Sequence, residues 1–222
     1  MPHLSVIIYG VKNVLKICCD YIFPPDKISS QILNMSTKDF NELYSVLNKK
    51  ERYFARVHLF HYKNKHIQRF IHMIKYEKNK TVVRLAAKLL SKKIHELPTN
   101  LNTTLLCPVP QSKRRKNERG YNQCELVTTA IYKIIPELLY SPKFLQKIIH
   151  TKTQTKYTRD QRLENIANSI VVNSKVKNFN LENKTVIIVD DVYTTGATAT
   201  EVVRAVQMHN PKHIYFITLA WA

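Results

Sequence analysis

The sequence predicts an α/β protein, a mostly parallel sheet flanked by helices, with a small N-terminal accessory segment. Three observations carry this. From residue 103 onward, short apolar runs alternate with stretches of helical spacing, and strands that alternate with helices imply parallel pairing through right-handed crossovers. One run, Val186-Ile187-Ile188-Val189, is apolar at four successive positions, the pattern of a strand buried on both faces. Asp190 and Asp191 follow it directly, and parallel sheets bind ligands at the carboxyl ends of their strands.

The elements follow in order. Val11, Val14, Leu15 and Cys18 keep a helical spacing that Pro24-Pro25 stops. Residues 26–50 are polar and weakly patterned, so residues 1–50 read as an accessory segment and 51–222 as the main domain. Residues 52–62 read as a strand. Ile67, Phe70, Ile71 and Ile74 mark one face of a helix. Thr81 is the expected cap of a longer helix with Val82, Leu85, Ala86, Leu89 and Leu90 on its apolar side. Thr103 to Val109 reads as a buried strand. Asn122 opens a helix with Glu125 three residues on, a capping-box arrangement. Residues 144–149 and 169–173 read as strands separated by the basic stretch 150–168. Thr185 to Asp190 is a strand, Ala199 to His209 a helix and His213 to Leu219 a strand.

Composition bounds the function. The net charge is +19, and residues 51–180 hold 26 basic against 8 acidic side chains. Such a field attracts polyanions: phosphorylated small molecules, nucleic acid or an anionic surface. A solvated lysine-rich surface is the plain alternative. No stretch reaches the ~18 apolar residues of a membrane helix, and no signal peptide is expected. Cys18, Cys19, Cys107 and Cys124 form no C-x-x-C pair, so reduced thiols, a cytoplasmic location and no structural zinc are expected. The chain has three glycines, Gly10, Gly120 and Gly196, where about 15 is usual at this length. A glycine that survives such scarcity points to a place where a side chain is not tolerated.

The chemistry concentrates in Val186 to Thr198. A buried strand ends in Asp190 and Asp191, and Val192, Tyr193, Thr194, Thr195, Gly196, Ala197 and Thr198 lead into a helix. Backbone N–H groups at a helix N-terminus carry partial positive charge and cradle a phosphate. Adjacent carboxylates accept hydrogen bonds from a vicinal diol such as a ribose, and support magnesium, usually through water. Taken singly, the acids can cap a strand and the threonines a helix. The thirteen residues together favour a ribose-phosphate site.

This string resembles the phosphoribosyl-pyrophosphate (PRPP) signature of the type I phosphoribosyltransferases. It is neither a Walker loop nor a G-x-G-x-x-G turn. Within that group the chain is more similar to the ComF family, proteins associated with natural competence. Cys107-Pro108-Val109-Pro110, Arg114 and Arg119-Gly120-Tyr121-Asn122-Gln123 resemble its P-V-P…R…RG[FY]NQ. His150-Thr151-Lys152-Thr153-Gln154-Thr155 resembles its H-T-x-x-Q-T, and Arg159, Arg162 and Asn165 its R-x-x-R-x-x-N. Phe60-His61-Tyr62 with Ile74-Lys75-Tyr76 resembles its F-x-Y…[IL]-K-Y. The likeness covers about 55 to 222. The family usually opens with a four-cysteine zinc ribbon, and here no cysteine stands between Cys19 and Cys107, so no zinc site is carried over.

The resemblance implies a type I phosphoribosyltransferase fold and a set of roles. Asp190 and Asp191 would hold the ribose hydroxyls and form the catalytic pair, and Thr194 to Thr198 the 5′-phosphate. Gln111, Ser112 and Lys113 would face the pyrophosphate, reinforced by Arg114 and Arg119. Gln154, Arg159 and Arg162 fall on the loop that closes over PRPP in that superfamily. Magnesium would accompany PRPP. Arg115 and Lys116 belong equally to that pocket or to a nucleic-acid patch with Lys113. Three readings follow. The first is a ComF-like protein that binds PRPP, or a related phosphorylated ribose, and handles incoming single-stranded DNA. The second is a metabolic phosphoribosyltransferase acting on a base or amine. The third is an inactive binding module on the same scaffold.

Overall fold

The computed structural model describes residues 27–36, 47–50, 54–148, 169–176 and 180–222. The chain divides into two compact units, 1–35 and 36–222. In the first unit, α1 (Lys27–Asn34) buries Ser29 and Ile32. The expected helix around Val11 to Cys18 lies outside the described residues. The sequence drew its boundary after residue 50. Leu47–Lys50 is instead strand β1, paired antiparallel with β2 (Ala55–His61) in the second unit. Four residues of Leu-Asn-Lys-Lys carry too little apolar signal to read as a strand, but an edge position needs only backbone pairing.

The second unit is built on a six-stranded sheet. Its strands are β1, β2, β3 (Thr104–Pro108), β4 (Leu139–Tyr140), β7 (Thr185–Tyr193) and β8 (His213–Trp221), in the order β1-β2-β8-β7-β3-β4. Every pairing except β1 with β2 is parallel. Val186 to Val189 at its centre are at most 1% exposed, as a strand covered on both faces requires. The helices are α2 (Lys65–Tyr76), α3 (Lys80–His95), α4 (Lys113–Arg119), α5 (Gln123–Ile134) and α6 (Ala197–Gln207). On one side Val186, Ile188 and Phe216 pack with Val202 and Val206 of α6. Elsewhere Phe60 meets Phe70 of α2 edge to face, with ring centroids 6.5 Å apart.

Several expectations need correcting. Asn79, not Thr81, caps α3: its carboxamide accepts from the Thr81 and Val82 amides, a stronger cap than a hydroxyl already inside the first turn. Residues 145–147 and 170–172 are strands, β5 (Leu145–Lys147) and β6 (Ile170–Val172), but they pair antiparallel with each other as a separate ribbon. They are too short and too polar on one face for the buried parallel sheet. Arg204 of α6 ties the ribbon down by donating to the Ile170 carbonyl at 3.0 Å. The basic run after Ser112, to which the sequence assigns no element, is the exposed helix α4, capped by Ser112 and closed by Gly120 at φ +74°. β7 extends past Asp190 to Tyr193 and α6 starts at Ala197, so the intervening loop is only Thr194 to Gly196.

Strand order positions the site. The chain leaves β3 and returns to β4 on one side, whereas β7 lies on the other. Such a reversal opens a crevice beyond the carboxyl ends of the two diverging strands. Asn122 fixes one wall of it. Its carboxamide donates to the Val109 carbonyl at 3.0 Å and accepts from the Cys124 amide at 3.0 Å, tying the β3 loop to the start of α5. Asn122→Ala removes both bonds and leaves the Val109 carbonyl without them, and is expected to cost about 1–3 kcal/mol. Urea denaturation checks this, and a loss under ~0.5 kcal/mol contradicts the tether.

Candidate functional site

A cavity of about 640 Å³ fills the crevice. Its floor is the end of β7, where Asp190 and Asp191 stand with Val192. On one side Thr194 and Thr198 flank the start of α6; on the other Gln111, Ser112, Arg115 and Arg119 come from the β3 loop and α4. Lys147 and Ile170 of the ribbon and Lys75 and Tyr76 of α2 complete it.

The two acids are not equivalent. Asp191 is 8% exposed. Lys75 reaches its Oδ1 at 3.0 Å and Gln123 Nε2 donates to its Oδ2 at 2.5 Å. Gln123 in turn accepts from Arg119 Nη1 at 3.1 Å, so two cations bear on one carboxylate. Asp190 Oδ1 accepts from the Asp191 amide at 2.8 Å and the Cys124 thiol at 3.3 Å. Among the described residues no group donates to its second oxygen. Desolvation, then the charge of Asp191, pushes the Asp190 carboxyl up to about 7. Burial, then the two acids, holds the Cys124 thiol well above its ordinary value, so it is a protonated donor. The expectation that both acids lie at an exposed strand end is corrected: β7 runs on past them, and only one carboxylate oxygen is left open.

The helix end is as the chemistry requires. The N-cap of α6 is Gly196, at φ +82°, which has no side chain to cap with; the Thr195 hydroxyl accepts from the Ala197 amide only at a long 3.5 Å. The amides that follow in the first turn can turn to an anion. Glycine is needed here for a different reason from the one the sequence suggests. A Cβ at Gly196 would meet the Tyr193 hydroxyl rather than the anion's space, and the left-handed backbone disfavours any other residue. Tyr193 itself packs inward, 4.9 Å from the His58 ring, with the Arg56 guanidinium 4.7 Å above it.

Other expected residues distribute unevenly. Lys113, Arg114 and Lys116 are exposed on α4 and do not line the cavity, and Arg114 is engaged by Glu118 at 2.8 Å. Thr195 and Ala197 are exposed beside the cavity rather than lining it. The amides of Gln111 and Gln123 meet at 2.7 Å. Gln154, Arg159 and Arg162 lie outside the described residues. Sequence reasoning missed Lys75, Tyr76, Asn122, Gln123, Cys124 and Lys147 as pocket residues. The signal for the first two was the Ile74-Lys75-Tyr76 phrase, whose lysine sits among apolar helix positions where only a partner explains it.

Oxygen and sulfur atoms of Asp190, Asp191 and Cys124 lie within 4.8 Å of one another. They suit a protein-held magnesium ion poorly, because Asp191 is filled by Lys75 and Gln123 and the third atom is a protonated thiol.

The site lies where the parallel strands diverge, at an acidic strand end that leads into a helix. Residues 133–221 match the family described as the phosphoribosyl transferase domain. The chain is 35% identical over 95 residues to Competence protein ComFC of Bacillus subtilis (strain 168), covering 42% of this chain and 34% of that protein. It is 29% identical over 140 residues to Competence protein F of Haemophilus influenzae (strain ATCC 51907 / DSM 11121 / KW20 / Rd), covering 61% and 58%. The chain thus spans about a third and somewhat over half the lengths of these relatives. A purine phosphoribosyltransferase from Pyrococcus horikoshii Ot3 overlaps 61% of this chain and 70% of its own at 17% identity and a TM-score of 0.39. The domain match and the two competence proteins are consistent with a ComF-family, phosphoribosyltransferase-like protein.

The raised Asp190 predicts a sign. The unfolded carboxyl ionises near pH 4, while the folded one keeps its proton to about 7. Stability therefore falls as pH rises from about 4 to 7 and stays reduced above. Asp190→Asn keeps an acceptor and removes the charge, so its gain over the parent is expected to be larger at pH 8 than at pH 4, by at least ~1 kcal/mol. Equal gains in denaturation at the two pH values contradict the buried-acid account.

Proposed function

We propose that the cavity binds PRPP, or a closely related phosphorylated ribose, with magnesium. One observation supports this reading above the rest: Asp190, with one carboxylate oxygen that takes no donor among the described residues, lines the same cavity as Thr194 and Thr198 at the start of α6, with Arg115 and Arg119 on its other side. The ribose hydroxyls go to Asp190, and to Asp191 once Lys75 yields. The 5′-phosphate goes to the amides of α6 with the hydroxyls of Thr194 and Thr198. The pyrophosphate lies towards Gln111, Ser112, Arg115 and Arg119, where magnesium supplies further neutralisation of its charge.

Such a site can support transfer. The bond from the anomeric carbon to pyrophosphate breaks, the departing charge falls on the arginines, and the nearby carboxylate stabilises the cation-like sugar. An acceptor's lone pair then forms the new bond as its proton leaves. The two curated relatives described above are named competence proteins, and the excess of basic residues continues on α4. We therefore place the chain in the same process, binding incoming single-stranded DNA next to the phosphoribosyl pocket, and in the cytoplasm.

Calorimetry tests the ligand. Magnesium PRPP is expected to bind the full chain one to one, and Asp190→Ala to weaken it at least tenfold while the protein stays folded by circular dichroism. Undiminished affinity in the folded variant removes Asp190 from the site. DNA is tested separately. Neutralised phosphates release counterions, so single-strand affinity should fall steeply with salt. Lys113→Ala, Arg115→Ala and Lys116→Ala together should weaken binding and reduce the salt slope by about 2. No single-strand binding at ~50 mM salt ends the DNA half of the reading and leaves the PRPP half standing.

A further inference from the structure

A second cavity adjoins the first. It is an open groove of about 460 Å³ along the outer face of α2. Lys75 and Tyr76 line both cavities, so the two share a wall. A helix rises 1.5 Å per residue, so the stretch from Lys65 to Lys75 runs for ~15 Å.

Its lining has a defined chemistry. Tyr62 and Tyr76 supply rings, Lys65, Arg69 and Lys75 supply cations, and Gln68 supplies an amide. No carboxylate lines it. Glu77 stands just beyond and pairs with Arg69 and His72. Lys65 is exposed and, among the described residues, has no carboxylate partner. Tyr76 is 59% exposed, a large ring left open at the rim of a polar pocket. The Arg119 guanidinium lies 4.8 Å from its centroid and the His72 ring 4.7 Å away. Open rings beside cations are the means by which proteins hold an unpaired base and its phosphate.

We propose that this groove seats a nucleotide unit, a stacked base with its phosphate, beside the phosphoribosyl pocket. The unit is either a free nucleotide or one residue of a single strand, and the recognising chemistry is shared. α4 holds five basic residues and no aromatic one, so it supplies charge without a stacking platform, whereas α2 supplies both. Arg119 joins them, ending α4 and lying over Tyr76. The inference rests on the nucleic-acid half of the function proposed above and not on its PRPP half.

Lys75 and Tyr76 serve both cavities, so the test uses groove residues outside the main one. The full chain is titrated at low salt with adenosine monophosphate and with a fluorescent single-stranded octa-deoxyadenylate, and separately with magnesium PRPP. Tyr62→Leu with Lys65→Ala, and Lys65→Ala alone as a surface change with little risk to folding, are compared with the parent. At least fivefold weaker binding of whichever probe the parent binds, with PRPP affinity within twofold, supports the seat. Weakening of both probes assigns it to nucleotides as such, and weakening of the octamer where the monophosphate does not bind assigns it to a strand. Parental affinity in the double variant overturns it, as does a parent that binds neither probe. Loss of the octamer only in the α4 triple variant also overturns it, by placing the strand on α4. A failed PRPP titration with intact groove effects removes the pocket reading alone.

Discussion

The structure turns on the burial of two adjacent carboxylates at the end of the central strand. A buried charge needs a partner, and Asp191 has two close ones, Lys75 at 3.0 Å and Gln123 at 2.5 Å. Those partners come from α2 and α5, so one carboxylate, through an ion pair and a hydrogen bond, fastens two helices to the sheet at the floor of the cavity. Asp190 has no ammonium group of its own, and its carboxyl is pushed up to about 7. A group left in this state destabilises the empty protein and becomes useful when a ligand brings hydroxyls or a cation to it.

Topology decides where this pair can act. β3 and β7 are parallel neighbours whose onward connections diverge, and the loop of each meets the crevice from opposite sides. One loop opens on a helix whose N-cap, Gly196, has no side chain, and the other leads into a helix that carries Arg115 and Arg119. The result is two anion-favouring walls with an acid floor between them, an arrangement suited to a sugar bearing a phosphate at each end. The third wall, α2, extends the same surface outward through Lys75 and Tyr76.

Much of this is legible in the sequence, for reasons that differ by element. Four consecutive apolar residues before two acids mark a buried strand, and β7 is one, though it runs three residues further than the pattern suggests. Ile67, Phe70, Ile71 and Ile74 mark α2 because its period is strong. The ribbon of β5 and β6 has the residues of strands, but its direction depends on long-range pairing that local pattern does not encode. β1 is invisible because an edge strand needs no apolar face. The exposure of the acids was misread for a related reason: Lys75 and Gln123, which bury Asp191, lie 116 and 68 positions away. Gly196 reads correctly as irreplaceable and incorrectly as to cause, since the conflict is with Tyr193.

The central claim is that a phosphorylated ribose sits on this acid pair. Carbon-detected nuclear magnetic resonance of the assigned aspartate carboxyls, followed as magnesium PRPP is added to the full chain at pH 7.5, tests it directly. The account predicts that the Asp190 and Asp191 carboxyl resonances move together and saturate at one ligand per chain, with the larger shift on Asp190, the acid with an open oxygen. Carboxyl resonances that stay still while ligand binds elsewhere, or that stay still because none binds, would contradict it.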